Sequence, residues 1–101
     1  MTQIKRTLSE DDVFCRYSML CNPRSDGDGK ALASQLKARL KDLLVPYGSH
    51  VKLVSCRYIS DGDIKVKFSV ESMSVDSLTD LLYANESTLD IDILEAGEDR
   101  G

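Results

Sequence analysis

Five carboxylates stand in or beside turn-forming stretches of this chain. Asp26 and Asp28 belong to Ser25-Asp26-Gly27-Asp28, Asp61 and Asp63 to the same tetrapeptide repeated at Ser60-Asp61-Gly62-Asp63, and Glu86 to Asn85-Glu86-Ser87. Carboxylates in glycine-bearing loops can ligate a cation, present negative charge to a partner, or act as turn chemistry through short side-chain-to-backbone bonds. A calcium loop needs oxygen ligands at alternate positions and a bidentate Glu at the twelfth. With Asp26 third and Asp28 fifth, Gly29 falls properly at the sixth position, but Arg24 takes the first and Gln35 the twelfth. A phosphate loop fails as well, because Ala31 follows Gly29-Lys30 where a hydroxyl for Mg²⁺ is required, and Arg24 replaces the first glycine. No metal and no cofactor is expected of these loops.

Nucleophilic catalysis needs a base beside a Ser or Cys, and His50 is the sole imidazole, placed next to a turn. Cys15 and Cys21 are too far apart on an extended segment to bridge each other, and Cys56 has no Cys-x-x-Cys partner. The cysteines read as core filling and reduced thiols, and no catalytic residue is expected.

The elements that would position the carboxylates follow from periodicity. Val13, Cys15, Tyr17, Met19 and Cys21 alternate with Phe14, Arg16, Ser18 and Leu20, predicting a strand that ends in the loop chemistry of "NPRSDGDG". Leu32, Leu36, Leu40, Leu43 and Leu44 share one arc, predicting a helix from about Gly29 to Pro46 with Lys30, Lys37, Lys41 and Arg39 along its borders. Ala31, Ser34 and Ala38 lie opposite the leucines and form a possible contact face for another chain.

"SHVKLVSCRYIS" is β-rich but changes phase near Leu53 and Val54, predicting a bulge there or a strand covered on both sides. Ile64, Val66, Phe68 and Val70 alternate inward with Lys65, Lys67, Ser69 and Glu71 outward, so the two runs form a hairpin across Asp61-Gly62. Ser74 caps a short helix with Val75, Leu78, Leu81 and Leu82 on one side, and "TLDIDILE" reads as a last strand with Leu89, Ile91 and Ile93 inward.

The order strand, helix, strand, strand, helix, strand predicts an α+β domain of the ferredoxin-like split βαβ type (βαββαβ), its antiparallel sheet ordered 4-1-3-2 with two helices on one face. The domain is expected over 11–95, after an N-terminal segment 1–10 that could be flexible and before a flexible acidic tail, 96–101. On the open face Arg16 is expected between Asp90 and Asp92 on one side and Lys65 and Lys67 on the other. Both Ser-Asp-Gly-Asp loops fall at the same end of such a domain, so Asp26, Asp28, Asp61, Asp63 and Glu86 are expected to line one acidic rim.

The chain has 101 residues, 17 acidic against 13 basic, and a net charge of −4, which disfavours direct binding to nucleic acid or anionic membranes and favours a basic protein partner. No apolar run reaches a membrane span, and a cytoplasmic location is expected. RNA-recognition domains carry exposed aromatics on their central strands, and only Phe14 offers one here. Arg24 stands in roughly the loop where acylphosphatases hold an Arg, without the glycine-rich signature around it, so a hydrolase is the lesser alternative. The helix, strand and hairpin lengths resemble those of an ACT-type domain over most of the chain, without the usual Asp-x-Pro-Gly start to the first helix. That resemblance implies a dimeric regulatory domain binding a small metabolite. The leading expectation is a non-enzymatic protein-binding module. In size and charge it suits a small inhibitor or immunity-type protein of phage or toxin systems, directed at a basic and even nucleic-acid-binding target.

Overall fold

The computed structural model describes residues 14–59 and 62–99. The segment 1–10 and Asp61 lie outside them. Among the described residues, four strands and three helices follow one another as β1 (Phe14–Pro23), α1 (Gly29–Leu44), a 3₁₀ turn (Val45–Tyr47), β2 (Val51–Tyr58), β3 (Ile64–Glu71), α2 (Val75–Ala84), α3 (Glu86–Leu89) and β4 (Ile91–Glu98).

The strands form one antiparallel sheet in the order β2-β3-β1-β4, which is the expected 4-1-3-2 order read from the other edge. Alternation decides which side chains go inward. Tyr17, Met19 and Cys21 on β1 stand opposite Phe68, Val66 and Ile64 on β3, and all six are buried. Ala33, Leu36, Leu40 and Leu44 of α1, Leu78 and Leu82 of α2, and Leu89 of α3 join these strand residues in one core. The leucine arc of α1 is therefore correct at its centre, with Leu32 and Leu43 half-buried at its margins and Ala33 added to it. Tyr17 packs edge-on against Phe68 with ring centroids 5.8 Å apart, and its hydroxyl lies 2.6 Å from Thr79 Oγ1. Thr79 donates its own proton to the Val75 carbonyl (2.9 Å), so Tyr17 is the donor in the pair.

The two longer helices, α1 and α2, each begin at a side-chain cap. Asp28 Oδ2 accepts from the Ala31 N–H at 3.1 Å, and Ser74 Oγ accepts from the Ser77 N–H at 3.0 Å, each satisfying a donor that the first turn leaves open. At the far end of α1, Pro46 has no N–H to continue the helix, and the chain tightens into the 3₁₀ turn.

Both outer strands are bulged. On β2, Leu53 pairs with Phe68 and Ser55 with Lys67, leaving Val54 as the extra residue, 62% exposed. This is the phase change seen in the sequence. On β4, Ile93 pairs with Cys21 and Glu95 with Leu20, so Leu94 is likewise extra and 51% exposed.

Three details differ from the sequence expectation. Thr88 and Leu89, expected to open the last strand, instead belong to a helical turn over Glu86–Leu89, because Asp90 adopts a left-handed conformation (φ 60°) that closes the turn before β4 begins. β4 also runs past residue 95 to Glu98, since Ala96 and Gly97 pair with Met19 and Ser18. Finally, Asp92 stands opposite Asn22 and not beside Arg16, because the bulge and the αL turn set the register; Arg16 faces Ser69 instead.

Candidate functional site

The end of β1, the start of α1 and the β2–β3 hairpin meet at one pole. Asn22 makes the junction: its side-chain amide donates to the Gly62 carbonyl at 3.3 Å and to the Asp63 carboxylate. Behind this junction lies an open groove of about 400 Å³ lined by Pro23, Ser25, Asp26, Gly27, Gly29 and Tyr58 among others. Ser25, Asp26 and Gly27 of the first tetrapeptide and Gly62 of the second, separated by more than thirty residues of chain, thus line a common depression. Gly29 is required there by contact rather than by φ, because a Cβ at this position would come within 2.4 Å of the Tyr58 ring.

The expected rim residues have distinct surroundings. Asp26 is exposed and lines the groove. Asp28 is exposed and caps α1, and Asp63 is half-buried and accepts from Asn22. Glu86 is turned toward β4, where its Oε2 accepts from the Ile93 N–H at 2.8 Å. That N–H belongs to a strand that lies at the sheet edge among the described residues, so the carboxylate takes the place of a neighbouring strand's carbonyl. Ala31, Ser34 and Ala38 are exposed along α1.

Two further carboxylates belong to the pole and were not assigned to it from sequence. Asp90 Oδ2 accepts from Ser25 Oγ, and Asp92 Oδ1 accepts from Arg24 Nε at 2.9 Å. Arg24 also reaches Ser87 Oγ at 3.4 Å, and its backbone N–H donates to the Asp90 carbonyl. Arg24 is therefore held by a carboxylate and a hydroxyl on the α3–β4 segment, an arrangement that neutralises the one arginine of the loop. An Asp in a left-handed turn is the local signal that could have marked Asp90, since Asp tolerates this region better than most residues.

The titratable groups that could do covalent chemistry are muted. Burial pushes the Cys21 thiol up to about 12 and the Cys56 thiol up to about 11, and burial also raises Cys15. Cys21 and Cys56 direct their S–H groups at the carbonyls of Ile64 (3.7 Å) and Ala33 (3.3 Å), so at neutral pH they remain protonated and poorly nucleophilic. His50 Nδ1 lies 3.1 Å from the Glu71 carbonyl, an acceptor only, which fixes the proton on Nδ1 and ties the start of β2 to the end of β3. Among the described residues no group of three His, Cys, Asp or Glu side chains is placed to hold a metal ion, and no helix is long and apolar enough to cross a membrane.

Compared with protein-family models, curated proteins and solved structures, the chain matches none.

Proposed function

We propose that this chain is a ferredoxin-like split βαβ domain that works as a non-enzymatic protein-binding module, a small acidic inhibitor or immunity-type protein whose carboxylate-bearing pole meets a basic surface of its target. A nucleic-acid-binding protein, covered at its basic surface, is the kind of target that such a pole would suit. The single observation that supports the reading is that Asp26 of the first Ser-Asp-Gly-Asp loop and Gly62 of the second line one groove, with Asp63 tied to the end of β1 through Asn22 and Asp28 at the start of α1. Pre-positioned charge of one sign speeds association and makes it sensitive to salt. The enzymatic alternative through Arg24 is weakened by the Arg24–Asp92 pair. The ACT-like dimer is weakened, in its strand-paired form, by the bulges at Val54 and Leu94 on both outer strands.

The test compares capture by the immobilised parent with capture by an Asp26→Asn, Asp28→Asn, Asp63→Asn variant, at low and high salt, with identification of what is retained. Asn caps a helix as well as Asp does, so the variant loses charge and not the α1 cap. A basic protein held by the parent at low salt and lost by the variant is the expected result. Equal retention by both chains rejects the reading.

A further inference from the structure

The open side of the sheet carries charge of the opposite sign. Register places Arg57, Lys65, Leu20 and Glu95 in one transverse row, Ser55, Lys67, Ser18 and Gly97 in the next, and Lys52, Ser69 and Arg16 in a third. The β2–β3–β1 part of this face therefore gathers Arg57, Lys65, Lys67, Lys52 and Arg16, with the carboxylates set around its margin: Asp92 and Glu95 toward β4, Glu71 at the end of β3, and Asp99 beside Arg16. Among the described residues the one ion pair is Arg24–Asp92, at the pole, so these five cations have no described carboxylate in ion-pair contact. Two adjoining grooves share Lys67. One, of about 280 Å³, is lined by Ser55, Arg57, Ile59 and Lys65; the other, of about 380 Å³, runs between Arg16, Ser69, Asp99 and the exposed bulge residue Val54.

We infer that this face is a docking surface for an acidic, extended peptide segment of a partner protein. Charge complementarity supplies the first reason: in a chain of net charge −4, a local band of cations without described ion partners suits a short anionic segment. Spacing supplies the second. Lys65 and Lys67 project from the same side of one strand at about 7 Å separation, the repeat of alternate side chains in an extended peptide, so Glu at alternate positions can meet both. Val54, 62% exposed beside Lys67, offers a seat to an apolar residue further along the same segment.

Single-stranded nucleic acid fits less well. Platforms for it rest on exposed aromatic rings that stack bases, whereas the two aromatic residues that line the larger groove, Tyr17 and Phe68, are 0% and 1% exposed and pack their rings against each other in the core. Glu95 and Asp92, toward β4, also repel a long polyanion.

The probe is a fluorescein-labelled peptide Glu-Ser-Glu-Ser-Leu-Ser-Glu, followed by anisotropy against the full chain, with a Gln-for-Glu peptide and an oligothymidylate of equal charge in parallel. The parent is expected to bind the Glu peptide and to bind neither of the other two comparably. An Arg57→Gln, Lys65→Gln, Lys67→Gln variant should lose about tenfold or more in affinity, whereas Lys30→Gln, Lys37→Gln, Lys41→Gln, which removes the same charge from α1, should change it by less than about threefold. Val54→Glu, at an exposed bulge outside the core, should give a comparable loss and guards against a folding defect in the triple variant. The inference is overturned if the parent does not bind the Glu peptide, if oligothymidylate binds more tightly, or if the α1 variant weakens binding as much as the sheet variant.

Discussion

Asn22 and Asp63, forty-one positions apart, are joined by a side-chain hydrogen bond that closes the β2–β3 hairpin onto the end of β1. The same amide donates to the Gly62 carbonyl, so one side chain at the end of a central strand holds the neighbouring turn in place. Replacing Asn22 by Ala should cost about 1–2 kcal/mol in denaturant unfolding, the range for a partly buried bond to a charged acceptor. Asn22→Asp should cost more at neutral pH, where two carboxylates would face each other, and should recover part of the loss on acidification, as a shared proton removes the repulsion. A loss that does not depend on pH would show that Asp63 is not the partner that matters.

The Tyr17–Thr79 bond predicts an asymmetry. Tyr17→Phe removes a donor and leaves Thr79 still bonded to the Val75 carbonyl, a change of about 1 kcal/mol. Thr79→Val strands a buried hydroxyl at Tyr17, whose side chain is inaccessible to solvent, and should cost about 1–3 kcal/mol. Thermal unfolding of both variants gives the order directly; a larger effect from Tyr17→Phe would reverse the donor assignment.

Alkaline pH should unfold the protein through its thiols. Cys21 and Cys56 bind their protons more tightly when folded, at about 12 and about 11, than at the ordinary value of 9.0. Folding therefore gains from both below pH 9, and stability falls as pH rises above 9, by at most about 1.4 kcal/mol per pH unit for each thiol. Urea unfolding between pH 8 and pH 11, on the parent and on a Cys21→Ala variant, should show a shallower alkaline decline in the variant. The midpoint of the variant at neutral pH will be lower because of the cavity, so the slope is the quantity to compare.

Gly29 and Tyr58 should show a reversal of sign. In the parent, Gly29→Ala forces the Tyr58 ring from its place and should destabilise or leave stability unchanged. In a Tyr58→Ala background the same substitution meets open space and should stabilise by up to about 1 kcal/mol through helix propensity. Additive effects in the two backgrounds would show that the ring does not rest on Gly29.

The strand alternation, the leucine arc and the Ser74 cap were legible because each is a local pattern with one structural solution, whereas Asp28, expected only as a rim carboxylate, was not legible as the cap of α1. The bulge at Val54 was legible for the same reason, as Val51 and Leu53 fall out of phase with Cys56. The adjacent apolar pair Ile93-Leu94 carried the same signal for β4, but the regular alternation Leu89, Ile91, Ile93 before it hid the break. The single turn of α3 was hidden too, since four residues are too few for a helical period. At the pole, the convergence of the loops followed from topology. What each carboxylate holds did not, because Asp63–Asn22, Asp92–Arg24 and Asp90–Ser25 are set by the final register of strands distant in the chain.

The kinks at Val54 and Leu94 bear on how this molecule can meet others. A new chain can extend a sheet only where it finds an uninterrupted row of outward amides and carbonyls, and each margin of this one is broken partway along. Growth by templated backbone pairing, into fibres or swapped sheets, is thereby discouraged at both ends at once. Recognition is left to side chains, whose identity evolution can retune one position at a time without disturbing the scaffold beneath.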